Sequence, residues 1–391
     1  MISVEEALAR VLALAKAPQP EDIALSDALG RVMFGPATAG LTQPPFDASA
    51  MDGYAIRDAD AATCKDFKVI GEAAAGYPWA GAAPAGTAIR IFTGAPVPQG
   101  FDRVVIQENV TRSGDMITVG GLGSGSNIRP QGLDFHAGDE VFIARPLTAR
   151  DIGLLASMNC PRLRVARRPK VSVIAGGDEL VPVGQTPREG QIISSNDLAI
   201  AALARGAGAE VTIQPITRDC VDSIRQSFNN SKGADLIVTI GGASVGDHDL
   251  IAAVAADYGM ERSFYKVAMR PGKPLMAGKM AGSTLLGLPG NPVSAMVCGM
   301  IFMIPLIYKM QGLDNKSKMR TARLSRPLTA EGDRQHYLRA KLDQDRSDLI
   351  APLQDQDSAR QRLFSEADAL IVRPAHDPAR QAGDLVEYLP L

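Results

Sequence analysis

Short apolar runs and segments of helical periodicity alternate between residues 170 and 310. The strand-like runs are residues 171–175, 210–216, 236–240 and 284–288. Helical patterns lie between them, one starting at Asn196, a residue type that can cap a helix, and another running from Val221 to Phe228. Strands that alternate with helices in this way predict a parallel, doubly wound sheet.

Two other segments are predicted to be helical. Residues 1–17 carry Ser3 and Glu6 at the spacing of a capping box, and their apolar residues fall on one face of a helix. The acids in this segment argue against a secretory signal. The apolar run at 295–308 is shorter than the roughly 20 residues that a membrane span needs and contains Pro305, so we expect a buried helix.

The two ends of the chain show a different pattern. Residues 1–169 are divided by glycine and proline into short segments, which predicts β-rich lobes with helices at either end. After a polar joint at 311–318, the remaining residues alternate between apolar and polar positions and indicate a small antiparallel barrel or sandwich. The predicted fold class is therefore α/β plus β, in several lobes with the parallel-sheet lobe at the centre.

Composition narrows the classes of function. A chain of 391 residues is long enough for about two to four domains. The formal net charge of −2 and the scattered basic residues indicate no surface for nucleic acid or an anionic membrane, so small ligands are the expected partners. The four cysteines form no C-x-x-C pair, which predicts neither a zinc site nor a disulfide framework and favours a reducing cytoplasm.

Three glycine-containing loops follow predicted strands, at residues 176–179, 241–249 and 288–291. In open α/β sheets, ligands bind beyond the carboxyl ends of the strands, so we expect the three loops to line one crevice. Glycines let backbone N–H groups approach a ligand, and a helix that begins near Asp247 or Pro292 adds the positive end of its dipole, which suits a phosphate. The alternative is that these glycines and prolines only form turns.

Acidic residues in the same loops indicate a cation. Glu179 and Asp249 could hold Mg²⁺, which binds one or two carboxylates together with phosphate oxygens of a substrate. On the motif alone, a helix-capping role for Asp247 and a first-turn position that favours an acid at Asp249 explain these residues equally well.

Basic and polar groups also occur outside these loops. Lys266, Arg270 and Lys273 lie close together and could neutralise an anion, although a solvated basic edge explains each of them singly. Polar loop residues of the first 169 positions are Asp47, Ser49, Asp52, Thr93, Glu108, Arg129 and Asp134. Composition alone explains them as turn residues, although binding sites also accumulate in such loops.

The sequence G-A-S-V-G at 242–246 matches the G-x-S-x-G turn of a serine hydrolase, with Ser244 as the nucleophile. Such an enzyme would need a later histidine, for which His336 and His376 are the candidates. The aspartates that follow the turn disfavour this function, because an acyl-transfer site gathers hydrogen-bond donors around an oxyanion. Labelling of Ser244 by a fluorophosphonate probe would support this alternative.

Seven segments of the chain together resemble one known family. In chain order they are PFDASAMDGYA, RIFTGAPVPQG, NIRPQGLD, GGDEL, GGASVGDHD, RPGKP and LPGNPVSA. They are similar to the motifs of the molybdopterin molybdenumtransferase family, the bacterial relatives of the gephyrin E domain, and the similarity covers essentially the whole chain. The resemblance implies insertion of molybdate into the dithiolene of adenylylated molybdopterin, with Mg²⁺ and with release of AMP, in cytoplasmic molybdenum cofactor biosynthesis.

The resemblance also implies an elongated subunit of four domains. These are a helical or linker domain I at 1–40 and 143–168, a β-rich domain II at 41–142, a Mog-like molybdopterin-binding α/β domain III at 169–311 and a C-terminal β-barrel domain IV at 317–391. It further implies a homodimer, whose active cleft is shared between domain III of one subunit and the β-rich lobe of the other. A molybdopterin adenylyltransferase is the expected upstream partner, and neither nucleic acid nor a membrane is expected to bind.

The family motifs also indicate site residues. The expected catalytic residues are Asp52, Thr93, Arg129, Asp134, Glu179, Asp219, Asp249, Lys266 and Arg270. The residues expected to bind the pterin substrate are Gly176, Gly177, Asp178, Gly241, Gly242, Ser244, Pro289, Gly290, Asn291 and Pro292. Glu179 and Asp249 are the expected Mg²⁺ ligands, while Arg129, Lys266 and Arg270 are expected to orient the anions. The dithiolene sulfurs belong to the substrate, so no protein cysteine is needed to bind molybdenum.

The chain departs from the family motifs at several positions. Residues 175–179 read AGGDE where S-T-G-D-E is common, which removes a threonine hydroxyl. Ser194 stands where aspartate is usual, and Arg270 where lysine is frequent. QDSARQR in the barrel lacks the family's glycine-serine pair, so no catalytic role is assigned there. A gephyrin-like non-enzymatic scaffold is another function that the resemblance permits, whereas a pterin adenylyltransferase would resemble the central lobe only.

Overall fold

The structure is a computed structural model, and it describes residues 1–241, 250–314, 319–346 and 348–391. The described chain forms two compact units. The first consists of Met1–Glu21 and Ala166–Leu391, and the second of Asp22–Val165. The finer division into four domains stays a prediction.

A six-stranded sheet forms the centre of the first unit. Its strands, in spatial order, are Glu210–Ile213, Lys170–Ala175, Leu236–Ile240, Ser283–Leu288, Met276–Met280 and Glu261–Phe264. The first four are parallel, as the alternating pattern predicts. Every residue of Leu236–Ile240 is buried, as expected for a strand that is covered on both faces.

Two antiparallel strands complete one edge of this sheet, which the sequence pattern did not predict. Met276–Met280 is antiparallel to both of its neighbours, Ser283–Leu288 and Glu261–Phe264. Only Ala281 and Gly282 connect Met276–Met280 to Ser283–Leu288, and their φ angles are 48° and 82°. A two-residue turn with positive φ angles joins antiparallel strands, whereas a parallel pair needs a long crossover.

Helices pack on both faces of the sheet. They are Val4–Ala13, Asn196–Gly206, Val221–Asn230, Leu250–Asp257, Pro292–Cys298 and Ile304–Met310, the last two joined by the π-helical turn Gly299–Met303. On one face Val238 belongs to the same core as Phe302, and on the other Ile237 belongs to the same core as Phe228 and Val254. The doubly wound arrangement is therefore confirmed.

The N-terminal helix and the long apolar helix both pack as predicted. The Ser3 hydroxyl accepts a hydrogen bond from the Glu6 N–H at 3.0 Å, and Val4 and Val11 enter the core of the first unit. Among the described residues, Pro292–Met310 is the one helix long and apolar enough to cross a membrane, with a mean hydropathy of 1.8. Because 67% of it is buried inside the unit, we interpret it as a core helix.

One predicted helix cap is wrong. Ser195 occupies the cap position of Asn196–Gly206, and Asn196 is the first helical residue. The Asn196 side-chain amide instead donates a hydrogen bond to the Gly290 carbonyl oxygen at 2.7 Å. Asn196 therefore lies at the helix start, but its side chain bonds to the distant Gly290 rather than to the backbone N–H groups of its own helix.

The C-terminal residues form a closed five-stranded barrel, so the sandwich alternative is wrong. The barrel strands, in order around the barrel, are Gln335–Leu342, Leu349–Pro352, Arg320–Leu324, Leu385–Pro390 and Ala369–Arg373, and the last pairs with the first. One pair, Arg320–Leu324 with Leu349–Pro352, is parallel rather than antiparallel. The strand Met269–Arg270 joins the barrel edge by pairing with Gln335 and His336. A short helix, Gln361–Ser365, lies between two barrel strands in the sequence.

The second unit is rich in β-structure, as predicted. Its six-stranded sheet has the order Arg103–Ile106, Gly53–Ile56, Thr87–Ile91, Asp66–Ala73, Met116–Val119 and Val110–Ser113. Shorter strand pairs are Ala48–Ser49 with Ile128–Arg129 and Ala37–Thr38 with Glu140–Val141. The strands Pro20–Ala24 and Arg162–Ala166 also pair, and the division between the two units falls within both of them. The helices are Asp58–Ala61 and Ala149–Ser157, with 3₁₀ turns at Leu25–Asp27 and Gln107–Asn109. Leu155 of the longer helix packs with Met33 and Val165.

Asp235 is a buried charge at the start of a central strand of the first unit. Its carboxylate accepts hydrogen bonds from Lys16 Nζ at 3.1 Å, from Arg167 at 2.8 Å and from the Lys170 backbone N–H at 2.8 Å. Burial by itself would raise the pKa of Asp235, but these hydrogen bonds outweigh it and lower the pKa below its ordinary value.

Asp235→Asn is expected to lower the free energy of unfolding by about 1–3 kcal/mol at neutral pH, because it leaves buried donors poorly paired. A depressed carboxyl pKa stabilises the folded state above the unfolded pKa of 3.8, and this contribution is lost as the pH falls through the folded pKa. Urea unfolding at several pH values should therefore show a difference between the two proteins that shrinks below pH 3.8. A difference that stays constant into strong acid would contradict this role.

Candidate functional site

A cavity of about 900 Å³ lies at the carboxyl ends of the parallel strands in the first unit. Its lining from these strand ends and their loops consists of Ala175, Gly176, Gly177, Glu179, Ile240, Gly241, Gly290, Asn291 and Pro292. The predicted crevice therefore exists, with Gly241 as the described representative of the middle loop. Its volume suits a cofactor-sized ligand, since small-molecule sites span roughly 300–1,000 Å³.

The start of helix Asn196–Gly206 forms another wall of this 900 Å³ cavity, which is called the larger cavity below. This wall was not predicted from the sequence. Ser194, Ser195 and Asn196 line the cavity, and the Asn196 contact with Gly290 joins two of its walls. Backbone N–H groups at a helix start suit an anionic ligand. The pattern did signal the helix start, but only the tertiary structure places it at the crevice.

Glu179 and Asp219 are the carboxylates that line the larger cavity, among the described residues. The Asp219 backbone N–H donates a hydrogen bond to the Asp178 carboxylate at 3.2 Å. Burial, together with the negative charges of Asp178 and Glu179, raises the pKa of Asp219 above its ordinary value. Mutual repulsion of this kind favours a bound cation, which would relieve it.

The burial of Asp219, together with its acidic neighbours, predicts a stability penalty that depends on pH. A raised aspartate pKa means that the folded state disfavours the ionised form, so the penalty is absent below the unfolded pKa of 3.8 and develops as the pH rises through the folded pKa. Asp219→Asn is therefore expected to raise Tm at about pH 7 and to leave it unchanged at about pH 3, while lowering activity. Calorimetric melting at both pH values checks this, and a lower Tm at neutral pH would contradict it.

Gly177 allows the Glu179 carboxylate to approach the backbone. Its φ angle is 152°, and a Cβ at this position would lie 2.5 Å and 2.7 Å from the two carboxylate oxygens of Glu179. A side chain at Gly177 would displace the carboxylate, so the close approach requires glycine there.

The barrel contributes to the wall of the larger cavity. Gln361 lines it and donates a hydrogen bond from Nε2 to the Ser195 hydroxyl oxygen at 2.9 Å. The Ser358 carbonyl oxygen accepts a hydrogen bond from the Val293 N–H at 3.0 Å, and its hydroxyl oxygen accepts one from Asn291 Nδ2 at 3.2 Å. The sequence did not indicate a role for this loop, because its motif is weak and periodicity does not reveal which loops pack together.

A smaller cavity of about 310 Å³ shares Asn291 with the larger one. Its charged lining residues are Arg270, Lys273, Arg334, Arg339 and Asp357, and the titratable His336 and Tyr337 also line it. Because basic groups outnumber the single carboxylate, the cavity suits a small anion rather than a cation. Arg270 and Lys273 belong to the basic segment found in the sequence, whereas Arg334, His336 and Arg339 come from the barrel.

Arg339 is fixed in the wall of the smaller cavity. Its side chain is 1% exposed, and it donates hydrogen bonds from Nη1 to the Asp357 carbonyl oxygen at 2.9 Å and from Nε to Gln356 Oε1 at 3.3 Å. Burial lowers the pKa of Arg339, against the opposing charges of Asp355 and Asp357. A guanidinium already held in place needs little reorganisation to bind an oxyanion. An arginine in an alternating strand gives no sequence signal of such burial.

In the second unit, Asp52 and Thr93 form a hydrogen-bonded pair. One Asp52 carboxylate oxygen accepts hydrogen bonds from the Thr93 N–H at 2.7 Å and from the Thr93 hydroxyl at 2.8 Å. These bonds lower the pKa of Asp52, and the charge of Arg90 contributes further. The neighbouring Gly53 permits close strand packing, because a Cβ there would lie 1.9 Å from the Val105 carbonyl oxygen. Asp52 is thus an exposed anion with a fixed orientation.

Some of the predicted site residues line the larger or the smaller cavity, and others line neither. The larger cavity contains Gly176, Gly177, Glu179, Asp219, Gly241, Gly290, Asn291 and Pro292, and the smaller one contains Arg270. Asp178, Lys266 and Pro289 line neither of these cavities; the Lys266 ammonium lies 5.7 Å from the Tyr265 ring centroid. Asp52, Thr93, Arg129 and Asp134 are exposed on the second unit. Gly242, Ser244, Asp247 and Asp249 lie outside the described residues.

The histidines do not support a serine hydrolase. His336 lines the smaller cavity, where its Nδ1 lies 3.1 Å from each carboxylate oxygen of Glu331. His376 is exposed. In the part of the chain that the structure describes, neither histidine lines the larger cavity, where the strand before Ser244 ends.

Comparison with known families matches nearly the whole chain. The MoeA N-terminal region (domain I and II) matches residues 2–159, the probable molybdopterin binding domain matches 172–309, and the MoeA C-terminal region (domain IV) matches 321–391. The molybdopterin molybdenumtransferase of Haemophilus influenzae is 37% identical over 317 residues, which cover 80% of this chain and 78% of that protein. Molybdopterin molybdenumtransferase 2 of Mycobacterium tuberculosis is 36% identical, with 90% of each chain covered.

A solved structure is similar over the full length. The molybdopterin biosynthesis MoeA protein from Pyrococcus horikosii has a TM-score of 0.84 and 28% sequence identity, and the match covers 100% of this chain and 99% of that one. This similarity confirms the predicted fold class of α/β plus β.

Proposed function

Since the chain belongs to the molybdopterin molybdenumtransferase family and is an enzyme of molybdenum cofactor biosynthesis, we propose how the larger and the smaller cavity described above divide the reaction. The larger cavity binds adenylylated molybdopterin, and the smaller one binds molybdate. Water hydrolyses the phosphoanhydride and AMP leaves. The two dithiolene sulfurs then bind the molybdenum of molybdate, and one of its oxygens leaves as water with the two thiol protons. The observation that carries this proposal is that an acid-lined cavity and a base-lined cavity meet at Asn291.

The larger cavity offers donors for the pyrophosphate of the substrate. Gly176 and Gly177 have no Cβ to shield the backbone, and the helix start at Asn196 directs N–H groups outward. The nearby carboxylates of Glu179 and Asp219 would repel a phosphate directly. A divalent cation held by Glu179 and Asp219 would neutralise this negative charge, since Mg²⁺ is usually bound by one or two carboxylates together with substrate phosphates.

We propose Glu179 and Asp219 as the described residues that hold Mg²⁺. Carboxylate oxygens are the ligands that this cation prefers. Burial, together with the charges of Asp178 and Glu179, raises the pKa of Asp219, and a bound cation would favour its ionised form. When bound, the cation supplies charge neutralisation for the displaced phosphate. Asp249 remains a predicted ligand outside the described residues.

The smaller cavity is suited to molybdate by charge and size. Arg270 and Lys273 supply positive charge, and the buried Arg339 supplies a guanidinium with a fixed orientation. A concentration of positive charge raises the local concentration of a doubly charged oxyanion. Asn291 lines both cavities, so an anion held in the smaller one lies near the pterin substrate.

We also propose a homodimer in which Asp52 and Thr93 serve the partner's cleft, as the family resemblance implies. Exposed apolar side chains of the same unit support an interface, since Phe46, Met51 and Leu133 are 39%, 43% and 61% exposed. Sedimentation equilibrium of the purified protein should give twice the chain mass of 41.3 kDa. We also propose a molybdopterin adenylyltransferase as the upstream partner, because the substrate must arrive adenylylated. A cytoplasmic location is part of the same proposal.

The function is tested with purified protein, adenylylated molybdopterin, molybdate and Mg²⁺. We expect AMP release and a pterin product that activates a cofactor-free molybdoenzyme. Omission of molybdate should leave the product unable to activate that enzyme. If AMP appears no faster than in the absence of protein, the non-enzymatic scaffold becomes the better explanation. Labelling of Ser244 by a fluorophosphonate probe would instead support the serine hydrolase.

A further inference from the structure

His336 is a titratable side chain of the smaller cavity to which the proposed function gives no role. It lines the cavity although only 8% of its side chain is exposed. Its Nδ1 lies 3.1 Å from each Glu331 carboxylate oxygen. An ionised carboxylate can only accept hydrogen bonds, so Nδ1 carries a proton whether the ring is neutral or charged. The nitrogen that gains or loses a proton is therefore Nε2.

Charged residues face His336 from the adjoining strands. Arg270 is its register partner on one side and Arg373 on the other, and Arg334 lies just before it in the chain. Burial lowers the pKa of His336; Glu331 raises it, and Arg270 and Arg334 lower it further. The net direction is downward, so the ring of the protein alone is mainly neutral at about pH 7.

Glu331 lies beside Arg373 as well as His336. Arg373 is 1% exposed, and its Nη1 lies 3.9 Å from a Glu331 oxygen and has no hydrogen-bond partner among the described residues. Arg373 also contacts Asp377 through Nε, and Arg380 contacts the same carboxylate. Glu331 therefore faces both a cation and an imidazole N–H, which leaves Nε2 of His336 as the proton-binding atom of this group.

We propose that His336 is a proton-dependent positioning residue for the oxyanion. The imidazole takes a proton from solvent as a doubly charged anion enters the smaller cavity, and the new Nε2–H donates a hydrogen bond to that anion. Neutral Nε2 would present a lone pair, which repels an oxyanion, whereas the imidazolium attracts it. The inference rests on the proposed function in taking molybdate as the anion.

The physical basis is a reversal of the local potential. Without the anion, the charges of Arg270 and Arg334 oppose a further positive charge on His336. Two more cations, Lys273 and Arg339, line the same cavity, and Asp357 is the one carboxylate that lines it. A bound dianion reverses this balance and favours the proton. Anion binding and proton binding then strengthen each other by the same factor, as linkage requires.

The test is calorimetric titration of molybdate into the full-length protein without the pterin substrate, in buffers of different ionisation enthalpy. Between about pH 7 and 8.5, we expect uptake that approaches about one proton per molybdate and an affinity that falls about tenfold per pH unit. His336→Gln stays polar but binds no proton, so its affinity should lose this pH dependence and be about tenfold weaker near pH 7. His376→Gln, the exposed histidine of the same barrel, is the matched control and should retain it.

Molybdate binding by the unmodified protein without proton uptake would overturn the inference, whether or not His336→Gln folds. Retained pH dependence in folded His336→Gln would also overturn it by assigning the proton to another group. If the linkage is lost in His336→Gln but the protein releases no AMP from adenylylated molybdopterin, the inference stands and the proposed function fails. If the protein releases AMP and forms the cofactor but shows no measurable molybdate binding at any pH, the inference fails and the proposed function stands.

Discussion

Glu179→Gln is expected to lower the rate of AMP release by about 10²–10³-fold while leaving the fold intact. The substitution preserves the shape of the side chain but removes one of the two described carboxylates that line the larger cavity. If these acids hold the cation that neutralises the displaced phosphate, loss of one charge weakens transition-state stabilisation, and single groups of this kind contribute about that factor. The variant should also need more Mg²⁺ for half-maximal rate.

The measurement is single-turnover AMP release at saturating substrate over a series of Mg²⁺ concentrations. Glu189→Gln is the matched control, because Glu189 is an exposed acid of the same unit that does not line the cavity. It should behave as the unmodified protein. An unchanged rate and Mg²⁺ dependence in Glu179→Gln would remove Glu179 from the cation site.

The double variant Arg270→Gln with Lys273→Gln is expected to raise the KM for molybdate by about a hundredfold. Both side chains line the smaller cavity, and loss of one charge-assisted hydrogen bond to an anion corresponds to about tenfold in affinity. The rate at saturating molybdate should change much less, because the acids of the larger cavity remain. Higher salt should weaken molybdate use by the unmodified protein more than by the variant.

Initial rates over a range of molybdate concentrations check this expectation. Lys279→Gln is the control, since Lys279 is an exposed lysine on a nearby strand of the same unit that lines neither cavity. Two results would show that the smaller cavity does not bind the anion during turnover. One is a KM for molybdate no higher than that of Lys279→Gln, and the other is a lowered rate that saturating molybdate does not restore.

Local pattern predicted the elements of the first unit well, because it depends on chain neighbours. The buried strand Leu236–Ile240 and helix Val221–Asn230 follow directly from apolar runs and periodicity. The antiparallel edge was missed because the turn at Ala281 and Gly282 sets strand direction through positive φ angles, which apolar periodicity does not encode.

The candidate site was predictable only in part, for a related reason. Loops that follow parallel strands must meet at one edge of the sheet, so the approach of Glu179 to Gly241 and Asn291 follows from topology. The contribution of Gln361 and the basic barrel wall around Arg339 does not follow, because those residues come from another fold element. Lys266, which the motif placed in the site, lines neither cavity.

Residue types and their spacing are enough to predict the alternation of strands and helices, the glycine loops at the strand ends and the family to which their motifs belong. These features depend on residue type and on spacing over a few turns of chain. The folded structure is needed to show that a barrel strand carries Arg339 and His336 into the cavity beside Arg270. That arrangement depends on closure of the barrel and on packing between residues distant in sequence, and no local pattern specifies which distant side chains will share a cavity.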